Sequence, residues 1–286
     1  MKCLLMLLAI AIAGVPIHLV AQAALSFTFA TIDIPGSTTN RPHNINDAAD
    51  IVGFYGDQAG IDHGYLLKNR HFKTIDVPGS TFTSARGINK ADVIVGGWVD
   101  QSGVIDHGFI DVAGKITSFD VPGATSTDGF DIDDAGDIVG CYIDAGGVMH
   151  GFIRAGGNIR TVDLPGQVST CVTGINNQRA AVGSGTDASG NDTGFLFRNG
   201  ILTTIRFPGA ISTDAVDVNS KGEIVGFYND SAGITHGYIR TSSGFQTVDY
   251  PGATSTRPLG VNDAGAIVGD YHDTAGIQHG FLAIPQ

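Results

Sequence analysis

A histidine followed by glycine and an aromatic residue recurs five times along the chain, and histidine can transfer protons or bind metals. The five histidines are His63, His107, His150, His236 and His279. An aspartate stands six or seven residues before each, while Asp187 precedes Thr193, which takes the histidine position in one copy. Imidazole and carboxylate together suit acid–base chemistry or metal binding, or a hydrogen bond that fixes a loop. We favour the loop, because one histidine per copy would spread the five apart rather than gather them at one point.

The stretch DGFDIDDAGDIVG at 128–140 has the aspartate density of a calcium loop. The EF-hand pattern fails at Ala135, where glycine is required, and the distal glutamate is absent. The chain also has no nucleophile elbow, phosphate-binding loop or zinc motif. The sequence therefore predicts neither a metal site nor a cofactor.

These residues belong to a repeat that runs through the chain, with phrases such as TIDVPG opening at 31, 74, 118, 161, 204 and 247. Each of the six copies, 43 or 44 residues long, continues with G-I-N, I-V-G and H-G-F phrases. Alternating apolar residues bounded by Gly, Asn and Asp indicate four short strands per copy, over 84–89, 93–100, 107–112 and 116–122 in the second copy. We expect almost no helix, since Glu223 is the only glutamate and 41 residues are glycine.

Four strands per repeat at this period predict an all-β fold, a six-bladed β-propeller, with a β-solenoid as the second choice. The chain begins with an unpaired fourth strand at 27–35 and ends on a third strand at 279–284. We expect the N-terminal strand to complete the last blade and close the ring, which leaves no large exposed sheet edge. No linker separates the copies, so residues 24–286 are predicted to form one domain.

The recurring phrases resemble the HAF repeats, a family of extracellular bacterial repeat proteins in which G-I-N, I-V-G and H-A-F recur. Here the last phrase is H-G-F or H-G-Y, and the resemblance covers the chain after its N-terminal segment. It implies secretion and a repeat fold. It implies no reaction and therefore no catalytic residue.

The N-terminal segment predicts secretion independently, to the extracellular space or the periplasm. Lys2, an apolar run from Leu4 to Val20 and an A-Q-A site ending at Ala23 indicate a signal peptide over 1–23, with an uncleaved anchor as the alternative. No later segment is apolar for long enough to cross a bilayer. Cys141 and Cys171 would then lie in an oxidising compartment, where they could be bonded or free.

A binding site on a ring needs positions at which the copies differ, and the first strand of each copy has two. Five residues before the end of G-I-N stand Arg41, Ser84, Asp128, Cys171, Asp214 and Arg257. Three residues before it stand His43, Arg86, Phe130, Thr173, Val216 and Leu259. Residues two apart share a face of a strand, so both sets should line the mouth of a central channel. Arg41, His43, Arg86 and Arg257 would make one side basic, and Asp128 and Asp214 the other side acidic; these charges could bind a ligand or neutralise one another.

This pattern favours a monomeric, non-catalytic binding module of the cell surface or matrix that holds a glycan or acidic ligand at the channel mouth. The alternative is an extracellular polysaccharide lyase or glycoside hydrolase, with His43 as base or with Asp128 and Asp214 as an inverting pair. A structural protein without ligand is the third hypothesis. The net charge of −12 and the absence of a basic patch argue against a nucleic-acid partner.

Overall fold

The computed structural model describes residues 25–103 and 106–286, and it is built of β-strands joined by turns. The predicted signal peptide at 1–23 lies outside the described residues. No helix is present in the described ranges, so none that could cross a membrane is found there either.

Every copy contributes a first, second, third and fourth strand. The first strands are β2 (Thr39–Ile45), β6 (Phe82–Ile88), β10 (Ser126–Ile132), β14 (Ser169–Ile175), β18 (Ser212–Val218) and β22 (Ser255–Val261). The second strands are β3 (Ile51–Gly56), β7 (Ile94–Val99), β11 (Ile138–Ile143), β15 (Ala181–Thr186), β19 (Ile224–Asn229) and β23 (Ile267–His272).

The third strands carry the H-G-F phrase, and the fourth strands lie at the sheet edges. The third strands are β4 (Asp62–Lys68), β8 (Asp106–Val112), β12 (Met149–Ala155), β16 (Asp192–Arg198), β20 (Thr235–Thr241) and β24 (Gln278–Pro285). The fourth strands are β1 (Phe27–Ile32), β5 (His71–Ile75), β9 (Lys115–Phe119), β13 (Asn158–Val162), β17 (Ile201–Ile205) and β21 (Gly244–Thr247). The fourth strands end before the P-G dipeptide, which lies in the following turn and not within the strand as the sequence suggests.

Consecutive strands of a copy pair antiparallel, for example β10-β11-β12-β13. Single parallel bridges, Asp62 with Phe82 and Thr193 with Thr213, join two pairs of neighbouring four-stranded units into eight-stranded sheets. The N-terminal strand β1 pairs with β24, with Phe27 opposite Pro285 and Ile32 opposite Gly280. First strands contact those of the next copy, and β22 of the last copy contacts β2 of the first.

The hydrophobic core lies between neighbouring sheets. One cluster combines Val52 and Ile75, which come from the first repeat's sheet, with Ile88, Ile94 and Phe109 from the second. Phe109 is fully buried, and burial of a phenylalanine side chain stabilises the fold by roughly 1.5–3 kcal/mol. Packing between sheets therefore fixes the positions of the first strands, which surround the central region.

Candidate functional site

A β-bulge at the same place in every first strand shapes the central region. In β2 the pairing register shifts between Pro42 and Asn44, which leaves His43 without a partner on β3. A bulge adds one residue to a strand and redirects its side chains. As a result Arg41, His43 and Asn44 all line the same cavity, whereas simple alternation would have turned Asn44 away from it.

The cavity lies beside the middle of the first strands and has a volume of about 200 Å³. Five of the six residues predicted for the channel mouth line it, namely Arg41, His43, Arg86, Asp214 and Arg257. The sixth, Asp128, lines an adjoining cavity that also contacts Arg86. Residues that the sequence reasoning missed are Asn44, Ser184, Phe227 and Asp270. The last three occupy the variable position after I-V-G, which the sequence also marks as a point of difference between copies.

Asp270 holds two arginines of the cavity wall. Arg257 donates from Nε and Nη2 to Oδ2 of Asp270, at 3.1 and 2.6 Å. Arg41 Nε lies 3.2 Å from the other oxygen, Oδ1, as an ion pair without the alignment of a hydrogen bond. Asp270 is 0% exposed, while the arginine side chains are 28% and 27% exposed. One buried carboxylate thus positions two guanidinium groups that still reach the cavity.

Arg86 pairs with Asp128, so these two charges neutralise each other locally. Arg86 Nη2 lies 2.8 Å from Asp128 Oδ2, and the guanidinium stacks over the Phe130 ring at 4.4 Å. Burial raises the pKa of Asp128 to about 6, although the charge of Arg86 opposes that rise. The expectation of basic and acidic sides facing each other therefore needs correction for this pair, which forms one contact at the edge of the cavity.

His43 is a neutral imidazole inside the cavity. Burial lowers its pKa well below the usual range, and the charges of Arg86, Arg41 and Arg257 lower it further. Its Nε2 is buried and has no hydrogen-bond partner among the described residues. An unpaired polar atom in such a place costs about 1–3 kcal/mol, so a ligand or water that bonds to it would be favoured.

Asp214 and Ser184 supply a polar pair elsewhere in the cavity lining. Ser184 Oγ donates to Asp214 Oδ1 at 2.7 Å. Burial raises the pKa of Asp214 to about 7, and the charge of Asp192 adds to the rise. At neutral pH this carboxyl group is therefore partly protonated, and it can donate as well as accept a hydrogen bond.

Deeper in the central region, polar side chains cross between copies. Asn44 Nδ2 donates to Asp131 Oδ1 at 3.2 Å, which joins the first copy to the third. Asp131 also accepts from the Ile175 amide at 2.9 Å, and Asp217 accepts from the Val261 amide at 2.8 Å. Burial raises the pKa of Asp131, and the neighbouring Asp217 raises it further. These hydrogen bonds connect the first strands of different copies next to the cavity.

Glycines alternate with these three side chains in the first strands. Gly87, Gly174 and Gly260 hold the same position as Asn44, Asp131 and Asp217. A Cβ atom at Gly87 would lie 2.6 Å from the Cα of Asp131, a distance that real Cβ contacts do not reach. Glycine in every second copy therefore makes room for a polar side chain from the next.

Asparagine side chains link the turns at the far end of the first strands. Asn46, Asn89, Asn176, Asn219 and Asn262 each donate from Nδ2 to the carbonyl oxygen of the equivalent residue in the following copy, and Asn262 donates to Asn46 at 3.1 Å. Asp133 takes this position in the third copy, and its Oδ1 accepts turn amides as the asparagines do. The cavity here is only about 70 Å³, and its side-chain donors bind backbone oxygens. We interpret this end as structural.

The repeated histidines form a second kind of cluster, away from the cavity. His63 Nδ1 lies 3.0 Å from Asp76 Oδ2, Nε2 lies 3.4 Å from Asp57 Oδ2, and the ring stacks on Tyr55 at 5.2 Å. The closest partner is thus Asp76, the aspartate before x-P-G, and not the aspartate six residues before the histidine. Asp57 Oδ1 instead accepts the amides of its own loop, from Ala59 and Ile61.

The fourth copy keeps the loop aspartate, Asp187, but lacks the other three members of this cluster. Thr193 replaces the histidine, Arg206 the second aspartate and Gly185 the aromatic residue. Gln167 fills the vacated space, since a Cβ at Gly185 would lie 2.8 Å from its Cγ. The histidine, the aspartate before x-P-G and the aromatic ring therefore form a structural unit that one copy has replaced together, while the loop aspartate is kept. No group of three or more His, Cys, Asp or Glu residues in the described ranges is arranged to hold a metal ion.

Cys141 and Cys171 form a disulfide that joins β11 to β14 of the next copy, with a Cα–Cα distance of 4.9 Å. Cys171 holds the position that Arg41 holds in the first copy, and Thr173, two residues further along β14, lines the cavity. A cross-link that spans 30 residues is worth about 3–4 kcal/mol through the entropy of the unfolded chain.

Comparisons with known proteins find structural similarity without sequence similarity. No family model and no curated protein matches the chain. Among solved structures, AofleA from Arthrobotrys oligospora has a TM-score of 0.58 at 10% identity, over 90% of this chain and 86% of that one. A fungal lectin from Aleuria aurantia, described as a six-bladed β-propeller with a fucose recognition mode, has a TM-score of 0.54 at 11% identity, over 88% and 93%.

A gluconolactonase, XC5397 from Xanthomonas campestris, is similar to the same degree, with a TM-score of 0.53 at 12% identity over 91% of this chain and 90% of that one. The all-β architecture of this chain is therefore of the propeller type. Because a lectin and an enzyme share it, the fold does not choose between binding and catalysis.

Proposed function

We propose that this protein is a secreted, monomeric six-bladed propeller, closed by pairing of β1 with β24, that binds a glycan in the cavity of Arg41, His43 and Arg257 without turning it over. The closure is supported by the β1–β24 register and by the Asn262–Asn46 hydrogen bond between the last and first copies. Secretion rests on the predicted signal peptide at 1–23 and on the resemblance to the HAF repeats.

The observation that carries the binding function is the contrast between the cavity and the rest of the molecule. In the repeated histidine clusters, the side chains are hydrogen-bonded within the cluster. In the asparagine turns, the side chains are hydrogen-bonded to the next turn. The cavity instead gathers side chains in which the copies differ, and it leaves His43 Nε2 unpaired. Small concave sites with a few convergent polar groups are the usual form of a ligand site.

The test is a binding screen of the purified protein, without residues 1–23, against soluble polysaccharides. Retention on the polysaccharide and formation of new chain ends are followed in the same samples. We expect retention without new ends, and we expect His43→Ala to weaken retention while His71→Ala, an exposed histidine on β5, leaves it unchanged. Equal retention by the two variants would exclude the cavity as the site.

The catalytic alternative is favoured by one observation, a neutral imidazole and a carboxyl group with a pKa of about 7 in one cavity. A neutral imidazole can accept a proton, and a carboxyl group that titrates near neutral pH can donate one, as general acid–base catalysis requires. His43 could take the C5 proton of a uronate whose carboxylate is held by the arginines, so that a C4=C5 double bond forms and the C4–O glycosidic bond breaks, with the protonated Asp214 giving its proton to the leaving oxygen. New unsaturated chain ends that disappear in His43→Ala would establish this reaction in place of simple binding.

A further inference from the structure

We propose that the cavity takes a single sugar unit that carries one carboxylate, a uronate, with that carboxylate against Arg41 and Arg257. This inference rests on the proposed glycan-binding function and names the class of glycan.

The cavity wall carries more positive than negative charge. Asp270 is the only carboxylate within ion-pair distance of Arg41 and Arg257 in the described ranges, and it carries one negative charge for their two positive charges. Burial lowers the pKa of Arg41, with Arg257 and Arg86 contributing, but a guanidinium group in a protein keeps its proton. Arg86 is neutralised by Asp128. A net positive charge is therefore left over at the cavity, even though Asp214 in the same lining has a pKa of about 7 and is partly ionised at neutral pH. A surplus of at most one positive charge matches one carboxylate better than a phosphate ester that carries nearly two charges.

The two guanidinium groups, of Arg41 and Arg257, are already in position before a ligand binds. The buried Asp270 holds Arg257 by hydrogen bonds from Nε and Nη2, and it holds Arg41 by an ion pair with Nε at 3.2 Å. Each guanidinium has five N–H donors, so donors remain on both groups for a ligand. Groups held in place before binding lose little entropy when the ligand arrives, and arginine pairs bind planar carboxylates well.

The rest of the cavity suits the remainder of a sugar ring. His43 Nε2 and the Asp214–Ser184 pair offer hydrogen bonds to hydroxyl groups. Phe227 and Leu259 supply an apolar surface for the C–H face of the ring. A volume of about 200 Å³ is below the roughly 300–1,000 Å³ of sites for drug-sized ligands, so one sugar unit is the appropriate size.

The experiment compares D-galacturonate and D-glucuronate with their methyl esters, which keep the ring and hydroxyl groups but lose the charge. Affinities of the wild-type protein are measured by calorimetry at pH 7 and low salt. A charge-assisted hydrogen bond is worth about 1.5–3 kcal/mol, so we expect at least one acid to bind roughly 10- to 100-fold more tightly than its ester. Equal affinity for acid and ester would overturn the proposal.

Three variants test the charge argument. Arg257→Gln removes the surplus charge and should reduce the preference for the acid to less than about threefold. The double variant Arg257→Gln/Asp270→Asn removes one positive and one negative charge, so the surplus on Arg41 returns and so should most of the preference. Arg198→Gln, at an exposed site on β16, changes the net charge equally and should leave the preference intact. A double variant no more selective than Arg257→Gln, or an Arg257→Gln protein with full preference, would contradict the inference.

The two proposals fail in different ways. If no sugar and no polysaccharide of the screen binds, the glycan-binding function itself is wrong. If esters or neutral sugars bind in the cavity as well as the acids do, and His43→Ala weakens them all, the binding function stands and the uronate assignment is wrong.

Discussion

At the scale of single residues, the histidine clusters stabilise the sheets through charge. Partial burial works against protonation of His63, but the hydrogen bonds and charges of Asp76 and Asp57 outweigh it and raise its pKa. The same balance raises the pKa of His150 and of His279. A histidine whose pKa is higher in the folded state stabilises that state below its unfolded pKa, and this stabilisation is lost as the pH rises through the folded value.

His63→Thr, which copies the fourth repeat at this position, should lower the free energy of unfolding by about 1 kcal/mol. The loss should be larger at pH 5 than at pH 8, because the protonated ring makes the stronger pair with Asp76. Urea denaturation at the two pH values measures it.

The matched control is Thr193→His in the fourth copy. It should bring no gain in stability, since Arg206 and Gly185 stand where the aspartate and the aromatic ring would be needed. Stabilisation by Thr193→His would show that the histidine acts without its partners. No effect of His63→Thr would show that the histidine does not stabilise the sheets.

Residue types were enough to predict some of the residues that line the cavity. The others depend on backbone geometry that the sequence does not indicate. Differences among copies pointed to Arg41, His43 and Arg257, and all three line the cavity. Asn44 escaped notice because a regular strand would turn it toward the packed face, and nothing in the residue types indicates the bulge that redirects it. Asp270 escaped notice because it lies on the second strand, opposite Arg257, and the comparison between copies covers only the first strands.

At the scale of the elements, the alternation of glycine with polar residues sets how closely the first strands approach. Gly87→Ala should lower the free energy of unfolding by about 1–3 kcal/mol, because the new methyl group meets the backbone of Asp131 and one strand must move. Thermal or urea denaturation measures the loss.

Gly146→Ala is the matched control, because its new Cβ would meet a side-chain oxygen of Asp144 at 3.2 Å instead of a backbone atom. Gly146→Ala should lower the free energy of unfolding less than Gly87→Ala does. The account of the glycine positions is wrong if the two substitutions cost the same.

The order of the strands could be predicted from the sequence, because the four phrases recur in every copy. Only one pairing register of the strands keeps their apolar residues in the core. Predicted strands over 84–89 and 93–100 correspond to β6 and β7, within two residues at each end. The fourth strand was predicted to reach Pro122 but ends at Phe119, because the D-V-P-G residues turn toward the next first strand.

At the scale of the whole molecule, buried carboxyl groups and paired histidines predict greater stability in mild acid. Burial raises the pKa of Asp128 to about 6 and of Asp214 to about 7, and it also raises the pKa of Asp131 and Asp217. The unfolded chain ionises these groups near pH 4, so folding becomes less favourable between about pH 4 and 7 as the pH rises. The raised pKa values of His63, His150 and His279 act in the same direction, while the lowered pKa of His43 acts in the opposite one.

We expect the melting temperature to be roughly 4–8 °C higher at pH 5 than at pH 8, as about 2 kcal/mol would produce in a domain of this size. Thermal scans at constant ionic strength measure it. Asp214→Asn should flatten the dependence, because it removes one of the titrating groups. A melting temperature that rises from pH 5 to pH 8 would contradict the burial of these carboxyl groups.

The pairing of β1 with β24 makes the ends of the chain depend on each other. Besides the strand pairing, Phe29 contacts Phe281 and Tyr250, with ring centroids 6.0 and 5.5 Å apart. Removal of residues through Ile32 would expose the edge of β24 and unpack these rings. Compared with a chain that begins at Leu25, the shortened protein should lose several kcal/mol of stability and self-associate through the free edge.

A synthetic peptide of residues 25–34 should restore the melting temperature and the monomeric state of the shortened protein, because it can pair with β24 in the same register. A peptide with Phe27 and Phe29 replaced by serine keeps the backbone donors and should rescue less. Light scattering and thermal scans with increasing peptide follow both effects. If the shortened protein is as stable and as monomeric as the longer one, β1 does not close the ring, and the first and last copies are held together by the Asn262–Asn46 and Asp263–Asp47 contacts instead.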